Sequence, residues 1–146
     1  MTRAELQRVA RLFLWGFEDT DGREAIASLA EFVPSGMILF RRNIESAAQV
    51  RRLTKRIRRR LGADLLIGVD EEGGRVSRLK EIISASPPAV SWGEKLVAGQ
   101  PKAVFTAAKK LGKSLISLGI NLDFAPVLDV HSNPKNPIIE IGRAHV

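Results

Sequence analysis

Apolar residues follow two kinds of pattern along this chain, helical spacings and short continuous runs. The helical spacings cover residues 3–16, 23–33, 51–60 and 101–118. The apolar runs, which are typical of strands buried on both faces, cover residues 37–40, 65–69 and 120–130. Because helices separate these runs, their order predicts right-handed βαβ units and a parallel sheet of about three strands. We therefore predict the α/β fold class.

Polar residues follow each predicted strand: Arg41, Arg42 and Asn43 after the first, Asp70, Glu71 and Glu72 after the second, Asp129 and His131 after the third. In parallel α/β folds, ligands bind beyond the carboxyl ends of the strands. This edge of the sheet is therefore the predicted functional site. The stretch 81–99 contains "SASPPAVSWG" and is expected to be an irregular working loop. We interpret its Trp92 as either a platform for a sugar ring or a packing residue.

The stretch "LLIGVDEEGGRVSRL" carries the most specific chemistry. Asp70 ends a predicted strand, and a carboxylate in that position can accept hydrogen bonds from two adjacent sugar or ribose hydroxyls. Gly73 and Gly74 permit positive φ angles, so that Arg75 or Arg78 can return toward Asp70. The alternative is that these acids and arginines only pair with one another across a turn. That alternative is favoured for three residues: Glu71, Glu72 and Arg75.

Composition limits the available chemistry. The 146 residues are 45% hydrophobic and 27% charged, which is typical of one soluble globular domain. There is no cysteine, and neither of the two histidines stands in a ligand pattern, so we expect no disulfide, no metal and no cofactor. No apolar run approaches the ~20 residues that cross a bilayer, and the N-terminus lacks a secretory signal. We expect a cytoplasmic protein without a membrane partner.

Much of the net charge of +7 lies in one segment, "RRLTKRIRRR", at residues 51–60. Its apolar positions predict an amphipathic helix with a narrow buried stripe. A basic domain that binds nucleic acid is therefore one alternative, and a steep salt dependence of binding to duplex DNA would favour it. No aromatic residue is interleaved to stack on bases, so we prefer a solvated outer face and no nucleic-acid partner.

Four motifs carry a resemblance to a known family: "GMILFRRNIES", "IGVDEEGGRVSRL", "SPPAVSWG" and "LGINLDFAPVLDVHSNPKNPII". In order and spacing, from about Phe13 to Ile139, the chain resembles the N-terminal domain of glycoside hydrolase family 3. It is most similar to the bacterial cytoplasmic β-N-acetylhexosaminidases of peptidoglycan recycling. The resemblance implies that the chain is the truncated N-terminal part of a TIM-type (β/α)8 barrel. Such a barrel needs about 250 residues.

The resemblance also implies an activity and a substrate site. The expected reaction is hydrolysis of terminal β-linked N-acetylglucosamine, with retention, from carbohydrate substrates that include muropeptides. Asp70 would bind hydroxyls of the sugar and Arg78 would help to position it. A β-glucosidase-type member of the family and a non-catalytic sugar-binding module are the alternatives.

No catalytic residue is assigned within the chain. In relatives of this kind the nucleophile is an aspartate on a later strand, and the proton donor is a histidine, supported by an aspartate, in a "KHFPGHG"-like loop. Neither motif occurs in these 146 residues, nor does the lysine–histidine substrate contact from the same region. Both catalytic groups are therefore expected beyond the C-terminus. We expect the isolated chain to be inactive, and marginally stable or insoluble because its sheet edges are open.

The last seven residues, "EIGRAHV", depart from the family pattern. After "NPKNPII" the family normally continues with a glycine and then "RSFG" or similar, and Arg143 lies one position out of that register. A common sequencing-library adapter, GAGATCGGAAGAGCACACGTC, translates in one frame to the same seven residues. We therefore expect residues 1–139 to be the family segment and residues 140–146 to be a non-native tail, and Arg143 is not assigned to the site.

Overall fold

The structure, a computed structural model, describes residues 1–128. The predicted rim residues Asp129 and His131 and the segment 140–146 lie outside the described residues. The chain divides into two compact units. Unit 1 comprises Met1–Val69 and Ile116–Leu122, and unit 2 comprises Asp70–Leu115 with the described residues after Leu122.

The helices and strands follow one another in mixed order along the chain. The α-helices are α1 (Arg3–Ala10), α2 (Arg23–Leu29), α3 (Ala47–Leu61), α4 (Ala89–Val97) and α5 (Pro101–Ser117). The strands are β1 (Leu14–Trp15), β2 (Gly36–Leu39), β3 (Leu66–Val69), β4 (Glu71–Gly73), β5 (Val76–Ser77) and β6 (Leu122–Asp123). A short 3-10 helix covers Arg41–Asn43.

A four-stranded sheet has the order β1-β2-β3-β6. β1 pairs in parallel with β2, and β2 pairs in parallel with β3. Strands β4 and β5 form a separate antiparallel hairpin. The predicted α/β class with a parallel sheet is therefore confirmed, with four strands in the sheet rather than three. The strand predicted over 120–130 is shorter than expected, since only Leu122–Asp123 is a strand in the part of the chain that the structure describes.

The additional strand, β1, lies where a helix was predicted. Helix α1 ends at Ala10, and the amide of Phe13 donates to the carbonyl oxygen of Ala10 in a final tight turn (3.1 Å). Leu14 and Trp15 then pair with Gly36 and Met37. The helix predicted over residues 3–16 is wrong beyond Ala10, because the backbone after it is satisfied by β2 instead of by another helical turn.

The segment predicted to be irregular also contains a helix. Within residues 81–99, α4 covers Ala89–Val97, with Pro88 as its N-cap in an extended conformation (φ −64°, ψ 157°). Proline disrupts the interior of a helix but not the residue before its first turn, where no intrahelical donor is needed. Pro87 and Pro88 thus precede a helix, and the segment 81–99 is not irregular throughout.

The basic segment forms helix α3 as predicted, and Gly62 caps it with a positive φ of 133°. Its apolar stripe is buried, at Val50, Leu53, Ile57 and Leu61. Two of its basic side chains hold neighbouring loops of unit 1, since Arg56 Nη1 donates to the carbonyl oxygen of Asp21 (2.7 Å) and Arg58 Nη1 to that of Gly119. Part of the basic segment therefore has a structural use. Among residues 1–128, no helix combines the length and the hydropathy that crossing a bilayer requires.

Candidate functional site

The hairpin that follows β3 gives the candidate site its shape. Asp70 comes directly after β3, and β4 then pairs antiparallel with β5, with Glu71 opposite Ser77 and Gly73 opposite Val76. At the turn, Gly73 and Gly74 have φ angles of +85° and +58°. This confirms the positive φ angles predicted for the two glycines. Because the turn reverses the chain, Asp70 and Arg78 stand side by side at the open end of the hairpin.

Asp70 and Arg78 form an ion pair. Nη2 of Arg78 lies 3.4 Å from Oδ2 of Asp70, and the side chains are 32% and 22% exposed for Arg78 and Asp70 respectively. The predicted return of an arginine to Asp70 is confirmed, and the arginine is Arg78. The Nε of Arg78 is buried and has no hydrogen-bond partner among the described residues. Buried donors are nearly always paired in folded proteins, so this nitrogen lacks the partner that a buried donor usually has.

Glu71 lies next to Asp70 but has a different environment. It is completely buried, and its Oε2 accepts a hydrogen bond from the amide of Leu79 (2.9 Å) while its Oε1 accepts one from the hydroxyl of Ser77. Glu71 thus bonds within the loop, but the predicted pairing of Glu71 with an arginine is wrong, since its partners are Ser77 and Leu79.

The tip of the hairpin packs closely against the segment before α4. The amide of Gly74 donates to the carbonyl oxygen of Ser86 (3.0 Å). A Cβ atom at Gly73 would lie 2.1 Å from the carbonyl oxygen of Pro87, and one at Gly74 would lie 2.8 Å from Cβ of Pro88. The two glycines thus serve both the turn and this close approach, and the Ser-Pro-Pro segment holds the hairpin in place.

Asp123 belongs to the same cluster of acids and was missed in the sequence. Its Oδ1 accepts a hydrogen bond from the amide of Glu71 (3.0 Å). Burial, the largest cause, raises the pKa of Asp123 from 3.8 to about 6; the hydrogen bond from Glu71 opposes the rise, and the charges of Glu71, Asp70 and Glu72 add to it. A carboxyl residue inside the apolar run "INLDFAPVL" was the signal available in the sequence.

The raised pKa makes stability depend on pH. Because the folded pKa exceeds the ordinary value, protonated Asp123 stabilises unit 2 below about pH 4, and this contribution is lost as the pH rises through about 6. We expect Asp123→Asn, which keeps an acceptor for the Glu71 amide, to remove this slope and to stabilise the protein at about pH 7.5 by roughly 1–2 kcal/mol.

Urea unfolding of the chain at about pH 5 and pH 7.5 measures this effect, with sucrose added to offset marginal stability. Replacing Trp15 with phenylalanine leaves Trp92 as the one tryptophan in the sequence, so its fluorescence reports on the unfolding of unit 2. Glu94→Gln, a change at an exposed carboxylate of the same unit, is the control and should leave the slope unchanged. A variant Asp123→Asn that is less stable than the parent at the higher pH would contradict the prediction.

The residues predicted at the rim after β2 belong to unit 1. In unit 1, Asn43 Nδ2 donates to the carbonyl oxygens of Phe17 and Asp19 (3.0 and 2.7 Å) and is buried, so its role is structural. Arg42 Nε lies 3.0 Å from Oε2 of Glu18 and also donates to the Phe17 carbonyl oxygen (3.0 Å). That these residues form part of a binding rim stays a prediction. Within residues 1–128, no group of three or more His, Cys, Asp or Glu residues could hold a metal ion.

Trp92 lies on α4 instead of in a loop. It lines a mainly apolar cavity of about 310 Å³ within unit 2. The wall is built largely from α4, α5 and the segment 125–128, and Glu71 and Glu72 also border it. Both interpretations of Trp92 stay predictions.

Comparisons with known proteins agree with the motifs. Residues 5–143 match the family described as "Glycosyl hydrolase family 3 N terminal domain". A beta-hexosaminidase of Mannheimia succiniciproducens is 39% identical over 120 residues, which cover 77% of this chain and 34% of that protein. A beta-hexosaminidase of Haemophilus influenzae is 37% identical over 109 residues, which cover 74% of this chain and 31% of that protein.

Solved structures give the same result. The glycoside hydrolase family 3 beta-N-acetylglucosaminidase from Paenibacillus sp. str. FPU-7 superposes with a TM-score of 0.80 at 35% identity, over 91% of this chain and 26% of that one. NagZ from Neisseria gonorrhoeae in complex with N-trifluoroacetyl-D-glucosamine superposes with a TM-score of 0.66 at 31% identity, over 80% of this chain and 36% of that one. The chain thus spans about a third of the length of the curated relatives it matches. It belongs to glycoside hydrolase family 3, within whose N-terminal domain it falls.

Proposed function

We propose that this chain is the amino-terminal part of a retaining β-N-acetylhexosaminidase, built on a TIM-type barrel, and that Asp70 and Arg78 hold the terminal N-acetylglucosamine of the substrate. Family membership and the names of the relatives support the activity. The observation that carries the site is the Asp70–Arg78 pair, in which the buried Nε of Arg78 lacks a partner among the described residues.

The pair has the chemistry that a sugar ring requires. A carboxylate accepts hydrogen bonds from two neighbouring hydroxyls, and a guanidinium donates to hydroxyl oxygens, so the two groups can bind adjacent positions of one ring. Hydrogen bonds to charged groups contribute about 1.5–3 kcal/mol each. The ion pair also restrains both side chains before the sugar arrives, which lowers the entropic cost of binding.

Bond cleavage requires groups other than this pair. Retaining hydrolysis needs a nucleophile and a proton donor that later acts as a base. Glu71 is unsuited to either role because both of its oxygens are engaged and it is buried. We assign the catalytic groups to a later part of the complete domain. Cytoplasmic location and muropeptide substrates are finer proposals, supported by the resemblance to enzymes of peptidoglycan recycling.

A chimera tests the proposed function. The part of this chain that matches Neisseria gonorrhoeae NagZ, 80% of it, replaces the corresponding segment of that protein in an exchange that includes Asp70 and Arg78. We expect the chimera to hydrolyse 4-nitrophenyl N-acetyl-β-D-glucosaminide, whereas the 146-residue chain alone gives no turnover. 4-Nitrophenyl β-D-glucoside is the control substrate, and preference for it would favour the β-glucosidase alternative.

Two outcomes would contradict the proposal. One is measurable turnover by the isolated chain, since the proposal places the catalytic groups outside it. The other is a folded chimera, with circular dichroism like that of NagZ, that binds N-acetylglucosamine without cleaving the substrate. That second result would favour a non-catalytic sugar-binding module.

We further propose that residues 140–146 are not native, because their sequence equals the translated adapter; the family match, which extends to residue 143, includes the first four of them. The test is to sequence the gene from genomic DNA through these codons. Intact codons that continue into further barrel sequence would refute the proposal.

A further inference from the structure

Residues 70–79 alternate strictly in burial along both arms of the hairpin. Glu71 and Gly73 on the first arm and Ser77 and Leu79 on the second are buried, whereas Asp70, Glu72, Val76 and Arg78 are only partly buried. Successive side chains of a strand point to opposite faces. Asp70 and Arg78 therefore share one face of the hairpin, and Glu71, Ser77 and Leu79 share the other.

On the buried face, one carboxylate joins the two arms. Glu71 accepts hydrogen bonds from the hydroxyl of Ser77 and from the amide of Leu79. These two residues flank Arg78 in the sequence, one on each side. Fixing both neighbours restricts the backbone torsions of Arg78, so its side chain leaves the opposite face in a defined direction, toward Asp70.

Glu71 is itself held in place. Its amide donates to Asp123 (3.0 Å), and it pairs across the hairpin with Ser77. A fully buried carboxylate is costly unless it is hydrogen-bonded, and here both oxygens have donors. An apolar side chain of similar size would fill the space but would leave the Leu79 amide without a partner.

We propose that Glu71 is a positioning residue for the saccharide site: its carboxylate, by binding both neighbours of Arg78, sets the distance and direction of that guanidinium relative to Asp70. This inference rests on the proposed function, since it assumes that Asp70 and Arg78 contact the sugar. Glu71 contacts no substrate atom and acts through Arg78 alone.

The kinetic consequence is a change in substrate binding. A displaced Arg78 weakens contacts that are made in both the ground state and the transition state, so KM rises while kcat changes little. In the NagZ chimera we expect Glu71→Leu to raise KM by about tenfold or more and to change kcat by less than about threefold. Glu71→Gln keeps an acceptor for the Leu79 amide, and it should stay within about threefold of the parent in both constants.

A double-mutant cycle separates positioning from general stability. In an Arg78→Ala background there is no guanidinium to position, so Glu71→Leu should change KM by less than about twofold. The matched control is Glu94→Leu, the same substitution at an exposed position of unit 2, which should leave KM unchanged. If Glu71→Leu does not fold, Ser77→Ala removes one of the two hydrogen bonds and should raise KM by about threefold, again only when Arg78 is present.

The outcomes distinguish the inference from the function on which it rests. If Asp70→Asn and Arg78→Ala leave KM unchanged, the proposed saccharide site fails, and the inference with it. If they raise KM but Glu71→Leu (or Ser77→Ala) does not, or raises it equally in the Arg78→Ala background, only the inference is overturned. A Glu71→Gln variant as impaired as Glu71→Leu would also overturn it, because hydrogen bonding would then not be the cause.

Discussion

Asp70→Asn in the chimera is expected to lower kcat/KM by about 10²- to 10³-fold, which corresponds to roughly 3–4 kcal/mol of lost transition-state stabilisation. The substitution preserves the size of the side chain but removes its charge and replaces one acceptor oxygen with a donor nitrogen. A group that accepts from two sugar hydroxyls loses at least one of these bonds. The ion pair with Arg78, whose Nη2 lies 3.4 Å from Asp70 Oδ2, is lost as well.

Steady-state kinetics with 4-nitrophenyl N-acetyl-β-D-glucosaminide measures this loss. Glu94→Gln makes the same chemical change on the exposed side of α4 and serves as the control. The far-ultraviolet circular dichroism of both variants should match that of the parent chimera. A kcat/KM for Asp70→Asn within about threefold of the parent would show that Asp70 does not bind the sugar.

Gly73→Ala is expected to destabilise unit 2 by at least about 3 kcal/mol. The φ angle of +85° disfavours any residue with a Cβ, and this Cβ would meet the carbonyl oxygen of Pro87 at 2.1 Å. Since that oxygen belongs to the backbone, relief requires the hairpin to separate from the Ser-Pro-Pro segment. The Asp70–Arg78 pair is then no longer held, and activity in the chimera should fall too.

Gly99→Ala provides a control for the backbone contribution alone. Gly99 has a φ of +71°, but nothing lies within 4 Å of the Cβ position there. We expect Gly99→Ala to lower the free energy of unfolding by about 1 kcal/mol, which is the usual cost of placing alanine in the left-handed region. Urea unfolding of the two variants in the chimera, followed by far-ultraviolet circular dichroism, measures both losses. Equal losses at the two positions would show that the contact with Pro87 does not constrain the hairpin.

The strongly periodic parts of the fold were predictable from the sequence. Strands β2 and β3 lie within one residue of their predicted limits, because each is a buried apolar run. Helix α3 contains the predicted segment 51–60 and extends four residues before it and one after it. Strand β1 was not predictable, since Leu14 continues the helical spacing of α1 and only pairing with β2 makes it extended. Helix α4 was missed because prolines before a helix resemble prolines in a loop.

Some features of the candidate site were also predictable from the sequence, and others were not. The approach of Arg78 to Asp70 followed from two glycines between them, which is information contained in nine consecutive residues. The hydrogen bond between Glu71 and Asp123 joins residues 52 apart, so no local pattern reveals it. The structural use of Asn43 also depends on a distant partner, the loop at Phe17 and Asp19. That Asp70 and Arg78 bind sugar stays a prediction.

The contact between Asp70 and Arg78 spans only eight positions along the chain. The entropy lost in closing so small a loop is modest, and hairpins of this kind form within about 1–10 μs. A ribosome adds about 5–20 residues each second, so the hairpin and the Ser-Pro-Pro segment that packs against it both emerge within a few seconds. The pair that we propose to bind sugar can then form in the nascent polypeptide before the groups proposed to cleave the substrate are synthesised.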